Sequence, residues 1–304
     1  MSVPVRLLAF TAALAAVFVL ALVGARTLLP TGQAAPGQNP TDTTHADGDD
    51  MAPRHGDEHD SDQPTVAADP VRGLAAAQDG YRLEAVTAPG RTNVDGTLAF
   101  RLVGPDGSPV SDYITAHEKD LHLIVVRSDG TQFRHVHPRL DAAGTWSVPW
   151  RWLTAGSYRV FADFVPATTG KTLTLTSTVE VAGDLTPVPP STDRATSTVD
   201  GFIVTMAGVP AAGQSSELTF TVTRYGQPVT TLQPYLGAAG HLVALRAGDL
   251  AYLHVHPTND PAGKSGPAVA FMAETPTPGR YLLYLDFQVD GRVHTATFTT
   301  TATR

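Results

Sequence analysis

The sequence predicts an all-β protein: two tandem β-sandwich domains that follow an N-terminal membrane or signal helix and a disordered linker. Three observations predict it. Gly (27) and Pro (24) are frequent among the 304 residues while charged residues make up only 16%, a balance that favours strands and turns over helices. The chain also repeats itself at an offset of 119 to 123 residues. Each copy breaks into short apolar runs separated by Gly and Pro, the pattern of a sandwich. There is no cysteine, which excludes disulfides, thiolate metal sites, cysteine nucleophiles and a lipid-modified N-terminal cysteine.

Residues 1–30 read as a signal peptide or membrane anchor. Leu7 to Gly24 is an uncharged apolar run between Arg6 and Arg26. Its length matches the roughly 17–25 residues of a spanning helix and exceeds the ~7–15 of a cleaved signal core. Val23-Gly24-Ala25 offers a cleavage site, but the length favours an uncleaved anchor with its N-terminus inside. The expected location is therefore the extracytoplasmic face of the cell membrane, or the exterior if the segment is cleaved.

Residues 31–70 read as a disordered acidic linker. Nine acidic residues against Arg54 alone account for the whole net charge of −8, and the segment lacks the apolar side chains needed to order itself. His45, Met51, His55 and His59 lie within it. Such tracts can hold divalent metals loosely, though a solvated spacer explains the composition as well. The remainder is neutral overall with no basic stripe, so nucleic acid is not an expected partner.

The internal repeat organises the rest. Gly107-Ser-Pro109-Val110 matches Gly226-Gln-Pro228-Val229, Asp79-Gly80-Tyr81 matches Asp200-Gly201-Phe202, and the run from Gly156 to Phe164 matches that from Gly279 to Phe287. The first unit covers residues 71–183, the second 197–304, and the Pro-rich stretch 184–196 links them. Expected strands are Thr97–Val103, Leu121–Val126, Gln132–His137, Ser157–Val165 and Thr172–Val181. Their counterparts are Glu217–Thr223, His241–Leu245, Ala251–His256, Arg280–Gln288 and Arg292–Thr300. Several short strands in about 110 residues predict an immunoglobulin-like sandwich without the Cys…Trp…Cys core.

One offset also carries His122, His135 and His137 onto His241, His254 and His256, although only seven other positions across residues 107–138 are identical. Two-residue hairpins at Asp129-Gly130 and Gly248-Asp249 would set His122 opposite His137 and His241 opposite His256. His135 and His254 stand two residues along the same face. Ile124, Val126 and Phe133, or Val243, Leu245 and Tyr252, complete those faces. Asp163 and Asp286 sit in matching apolar strands as a fourth ligand or as a partner to a ligand. The reading is one three-histidine metal site per repeat, copper first and zinc second, since imidazole without thiolate suits both and Cu(II) leads the affinity order.

A structural role for the trios is the alternative, because duplication copies structural histidines as readily as ligands. His117 is expected on the surface and His294 exposed, with Met206 and Met272 in the core and Trp146, Trp150 and Trp152 in sheet packing. No separate general base, Ser/His/Asp grouping or phosphate loop accompanies the histidines, so an enzyme is not expected.

With an export signal, a tether bearing Met and His, tandem immunoglobulin-like units and His-x-His-Pro strands, the chain resembles actinobacterial secreted or membrane-anchored proteins of uncharacterised function. It is also distantly similar in architecture, over residues 71–304, to the CopC-like and YtkA-like extracytoplasmic β-sandwiches. That resemblance implies copper handling outside the membrane. CopC-like sites use a histidine at the mature N-terminus, which this chain does not supply near either repeat. The expectation is an extracytoplasmic protein that binds two metal ions for storage, sensing or delivery, with an envelope metal-handling protein as a possible partner. The alternative is a cell-envelope interaction or adhesion module.

Overall fold

The computed structural model describes residues 71–189, 192–253, 255–258 and 266–304. The expected helix at 1–30, the linker at 31–70 and His254 lie outside the described residues. Among the described residues no helix is long and apolar enough to cross a membrane.

The first repeat contains β1 (Ala77–Gln78), β2 (Tyr81–Thr87), β3 (Gly96–Val103), β4 (Leu121–Arg127), β5 (Arg134–Val136), β6 (Arg139–Leu140), β7 (Thr145–Trp150), β8 (Gly156–Phe164) and β9 (Leu173–Val181). They form two sheets with strand orders β1-β2-β3-β7-β6 and β5-β4-β8-β9. The second repeat contains β10 (Thr196–Val199), β11 (Phe202–Ala207), β12 (Gln214–Arg224), β13 (Gln227–Pro228), β14 (His241–Arg246), β15 (Tyr252–Leu253), β16 (Val255–Pro257), β17 (Ala268–Thr275), β18 (Gly279–Val289) and β19 (Arg292–Ala302). Its sheets run β10-β11-β12-β17-β16, with β13 beside β12, and β15-β14-β18-β19.

The expected strands are present, and others join them. β2 and β11 each follow an Asp-Gly turn whose two residues have positive φ, Asp79 and Gly80 or Asp200 and Gly201, the backbone of a tight hairpin. β7 and β17 complete the same sheets. In each repeat the two sheets close on one core. Leu98, Phe100 and Leu102 share the first core with Leu121, Leu123, Val125, Trp146, Trp150 and Trp152. Met206, Phe220, Phe271, Leu285, Phe287 and Phe298 belong to the second.

His294 corrects the reading that placed it in solvent. It is only 6% exposed, because alternation along β19 puts it on the face of Ala296 and Phe298. Its ring lies against Phe202 and Phe287, and Asp200 accepts its Nδ1–H at 2.7 Å.

β4 is buried at every residue, which a sheet with one solvated face would not allow. Leu121, Leu123 and Val125 face the first core. Ile124 and Val126 instead join Phe161, Val243, Leu245, Leu250 and Tyr284 in a third apolar cluster drawn from both repeats. The β5-β4-β8-β9 sheet therefore packs against the β15-β14-β18-β19 sheet of the other repeat. Phe133 stacks on Tyr284 with centroids 3.9 Å apart, and Phe161 meets Tyr252 at 5.9 Å. Repeat alignment makes Phe133 equivalent to Tyr252 and Phe161 to Tyr284, so the two pairs are related by a pseudo-twofold and the repeats cover each other as an isologous dimer would.

Phe161 is fully buried in this seam. Phe161→Ala should cost about 3–5 kcal/mol of stability, the usual range for a buried Phe, read by chemical denaturation. A loss under ~1 kcal/mol would mean the two sheets do not stay packed in solution.

A candidate metal centre between the repeats

Strand register brings the first trio together as the sequence implied. Leu123 pairs with Val136, Ile124 with His135 and Val125 with Arg134, the register that sets His122 against His137. In the second repeat, Ala244 pairs with Leu253 and Leu245 with Tyr252, again the expected register. The turns differ from expectation. The Arg127 N–H donates to Thr131 O and the Arg246 N–H to Ala251 O, so both loops exceed two residues, and left-handed Gln132 absorbs an extra residue in the first. Both tips are clamped by the retained arginines. Arg127 forks onto Asp129 at 2.6 Å, and Arg246 pairs with Asp249.

His122 Nδ1 lies 3.0 Å from His135 Nε2 and 3.3 Å from His137 Nε2. One ligand atom from each of the three lies within 4.8 Å of the others. Two of the three outward nitrogens are already committed. The His122 Nε2–H donates to Ala116 O at 3.0 Å, and the His135 Nδ1–H donates to Asp286 Oδ2 at 2.9 Å. Carbonyl and carboxylate can only accept, so both rings are fixed in the tautomer that turns a lone pair inward. Asp286 is held in turn by Thr295, whose hydroxyl donates to Oδ1 at 2.6 Å. Ligating histidines are oriented in this way at metal centres.

Two of the three spacings, those from His122, fit an ion. Two imidazole nitrogens each about 2.0–2.1 Å from zinc or a similar metal stand roughly 2.9–3.4 Å apart for angles between about 90° and 109°. The separations of 3.0 and 3.3 Å fall in that interval.

Asp286 belongs to the second repeat and His135 to the first, and His241 also faces the first trio. Its ring stacks on His122 with centroids 5.4 Å apart and planes 7° from parallel, and lies 4.9 Å from His135. His117 is exposed as expected, yet its ring is 5.5 Å from His241 and 6.1 Å from His122.

His254, the middle member of the second trio, lies outside the described residues. Among the described residues there is one three-histidine group, and His241 and Asp286, assigned by sequence to a second site, complete the surroundings of the first. A change of sheet takes His256 from its expected place opposite His241. β16 leaves β14's sheet and pairs with β17, setting His256 opposite Met272 and exposing it. Asp163 stands opposite His122 in the β4–β8 ladder, and the Thr174 hydroxyl donates to it at 2.7 Å.

Electrostatics keep His122, His137 and His241 neutral. Burial first and the neighbouring His135 second push His122 down to about 4. The same two causes, in that order, push His137 down to about 3. His241 is driven well below its ordinary value by burial and by His135, His122 and His117. Burial pushes the Asp163 carboxyl up to about 6 against the pull of Thr174. Neutral imidazole is the form that binds metal.

The cross-repeat use of His241 and Asp286, and the approach of His117, are what reading the strands one repeat at a time misses. The available signal was the apolar second face of β4 and β14, which had to be covered by something.

A family model described as a domain of unknown function (DUF8832) matches residues 76–183 and again 197–304. A search of the curated proteins found no match. Among solved structures, domains 4 and 5 of the S-layer protein SbsC are 11% identical, with 76% of this chain and 100% of that one aligned and a TM-score of 0.23. Invasin, a bacterial integrin-binding protein, is 13% identical over 73% of this chain and 39% of its own, with a TM-score of 0.22. Trypsin-activated alpha-2-macroglobulin from Escherichia coli is 13% identical over 76% of this chain and 16% of its own, at 0.26.

The depressed imidazoles predict acid sensitivity. The unfolded chain's histidines take up protons near pH 6.5, while folded His122 and His137 do so only near 4 and 3. Metal-free stability should thus be full above pH 6.5 and fall as pH drops from there toward 4. Denaturant midpoints at pH 7.5 and 5 measure this, and equal midpoints would contradict the burial of neutral rings.

Proposed function

Given that the chain belongs to the DUF8832 family and carries two copies of its domain of unknown function, we propose that it binds one transition-metal ion between its repeats. The ligands are His122, His135 and His137, and the setting is the outer side of the cell membrane. The observation that carries this reading is the convergence of three imidazole nitrogens, two of them on rings whose opposite nitrogen is already held by Ala116 O or Asp286. A three-nitrogen set without thiolate suits copper(II) first and zinc second. A fourth position left to solvent or a partner's ligand is compatible with storage, sensing or delivery. The apolar run at Leu7–Gly24 and the acidic linker support an extracytoplasmic, tethered setting, where an envelope metal-handling protein is the natural partner. The role proposed is binding and not catalysis.

A second reading has one observation in its favour. Buried His294 pairs with the exposed Asp200 elsewhere in the second repeat, with no neighbouring imidazole cluster among the described residues, so this chain also uses histidine–carboxylate pairs structurally. On that reading the trio clamps the repeats together and the protein is an envelope interaction module.

Calorimetric titration of the purified protein with Cu(II) or Zn(II) separates the two. The metal reading expects one tight equivalent, lost when His135 and His137 are both changed to Ala. Two tight equivalents would restore the one-site-per-repeat arrangement, and none, with the double variant merely less stable, would favour the structural clamp.

A further inference from the structure

We infer that the ion and the repeat–repeat interface are thermodynamically coupled, so that closure of the seam completes the centre and parting of the repeats releases the ion. This rests on the metal-binding reading above and adds how the site is regulated.

All three converging nitrogens come from the first repeat. The group that fixes His135 comes from the second: Asp286 accepts its Nδ1–H, and both side chains are nearly closed to solvent, at 1% and 3% exposed. Thr295 on the neighbouring strand holds the other carboxylate oxygen. The second repeat also supplies a cover, since the His241 ring lies parallel over His122. Separating the sheets would therefore leave the three donors in place while removing the carboxylate that orients one and the ring that shields another.

The rest of the seam ties this polar end to the whole contact. Ile124, Val126 and Phe161 pack with Val243, Leu245 and Tyr284, and the Tyr284 hydroxyl donates across the repeats to Gly130 O at 2.6 Å. A carboxylate that orients a ligating histidine is worth about 10–100-fold in metal affinity. Coupling is reciprocal, so an ion that gains that factor from the closed seam stabilises the closed seam by the same factor. A partner that pries the repeats apart would lower the affinity of the centre without touching a ligand.

The test uses the full chain with Zn(II) alone as probe, in competition with a chromophoric chelator. Asp286→Asn keeps size and removes charge. Tyr284→Phe keeps the ring stack and removes one cross-repeat hydrogen bond far along the seam. Wild type should bind; Asp286→Asn should weaken binding about 10–100-fold, and Tyr284→Phe by up to about tenfold, the span of one such bond. In both, the visible spectrum of Co(II)-substituted protein should keep the same nitrogen ligand set. Zn(II) should also slow amide exchange in β4 and β14 of the wild type. If both variants bind as tightly as wild type, the coupling is wrong and the metal reading stands. If wild type binds no Zn(II) or Cu(II), the metal reading itself has failed and the coupling falls with it.

Discussion

The structure depends on two apolar sheet faces, one from each repeat, that have nowhere to go but against each other. β4 is apolar or shielded on both sides, and an uncovered patch of that kind is costly in water. At one end the seam is hydrocarbon and aromatic. At the other it holds imidazoles and a carboxylate, and burying those groups is tolerable only when each finds a partner. His122 has Ala116 O, His135 has Asp286, and Asp286 has Thr295. The same burial keeps His122 and His137 unprotonated, which is the state a metal requires.

The seam is nearly symmetric and the centre is not. Phe133 on Tyr284 and Tyr252 on Phe161 are equivalent contacts made in opposite directions, and each repeat keeps the same internal aspartate–threonine pair, Asp163–Thr174 or Asp286–Thr295. The asymmetry arises where the strand after each hairpin changes sheet. In the first repeat β5 stays paired with β4 as far as Val136. In the second, pairing with β14 ends at Leu253 and Val255 already belongs to the opposite sheet. His256 therefore stands opposite Met272, while its counterpart His137 turns to His122.

Much of this was legible in the residues. The offset that aligns Arg127 with Arg246 marks two hairpin tips, each held by its own arginine–aspartate pair. Alternation from those tips gave the pairing of Ile124 with His135 although the turns themselves are longer than two residues, because left-handed Gln132 restores the count. His294 was readable too, since it shares a face with Ala296 and Phe298. What alternation cannot supply is the identity of the body lying on a second apolar face. Ile124, Val126 and Phe133 declare that something covers them, and only the fold reveals that their own duplicates do. For the same reason, Asp286 reads as a neighbour of His241 along the sequence, while in space its hydrogen bond goes to His135.

A single buried centre shared by two repeats is the central claim, and imidazole-resolved nitrogen-15 NMR during Zn(II) addition tests it most directly. The ring nitrogens of His122, His135 and His137 should shift together and saturate at one equivalent, with His294 unmoved. Separate shifts of His122 with His137 and of His241 with His256, completed only at two equivalents, would contradict it.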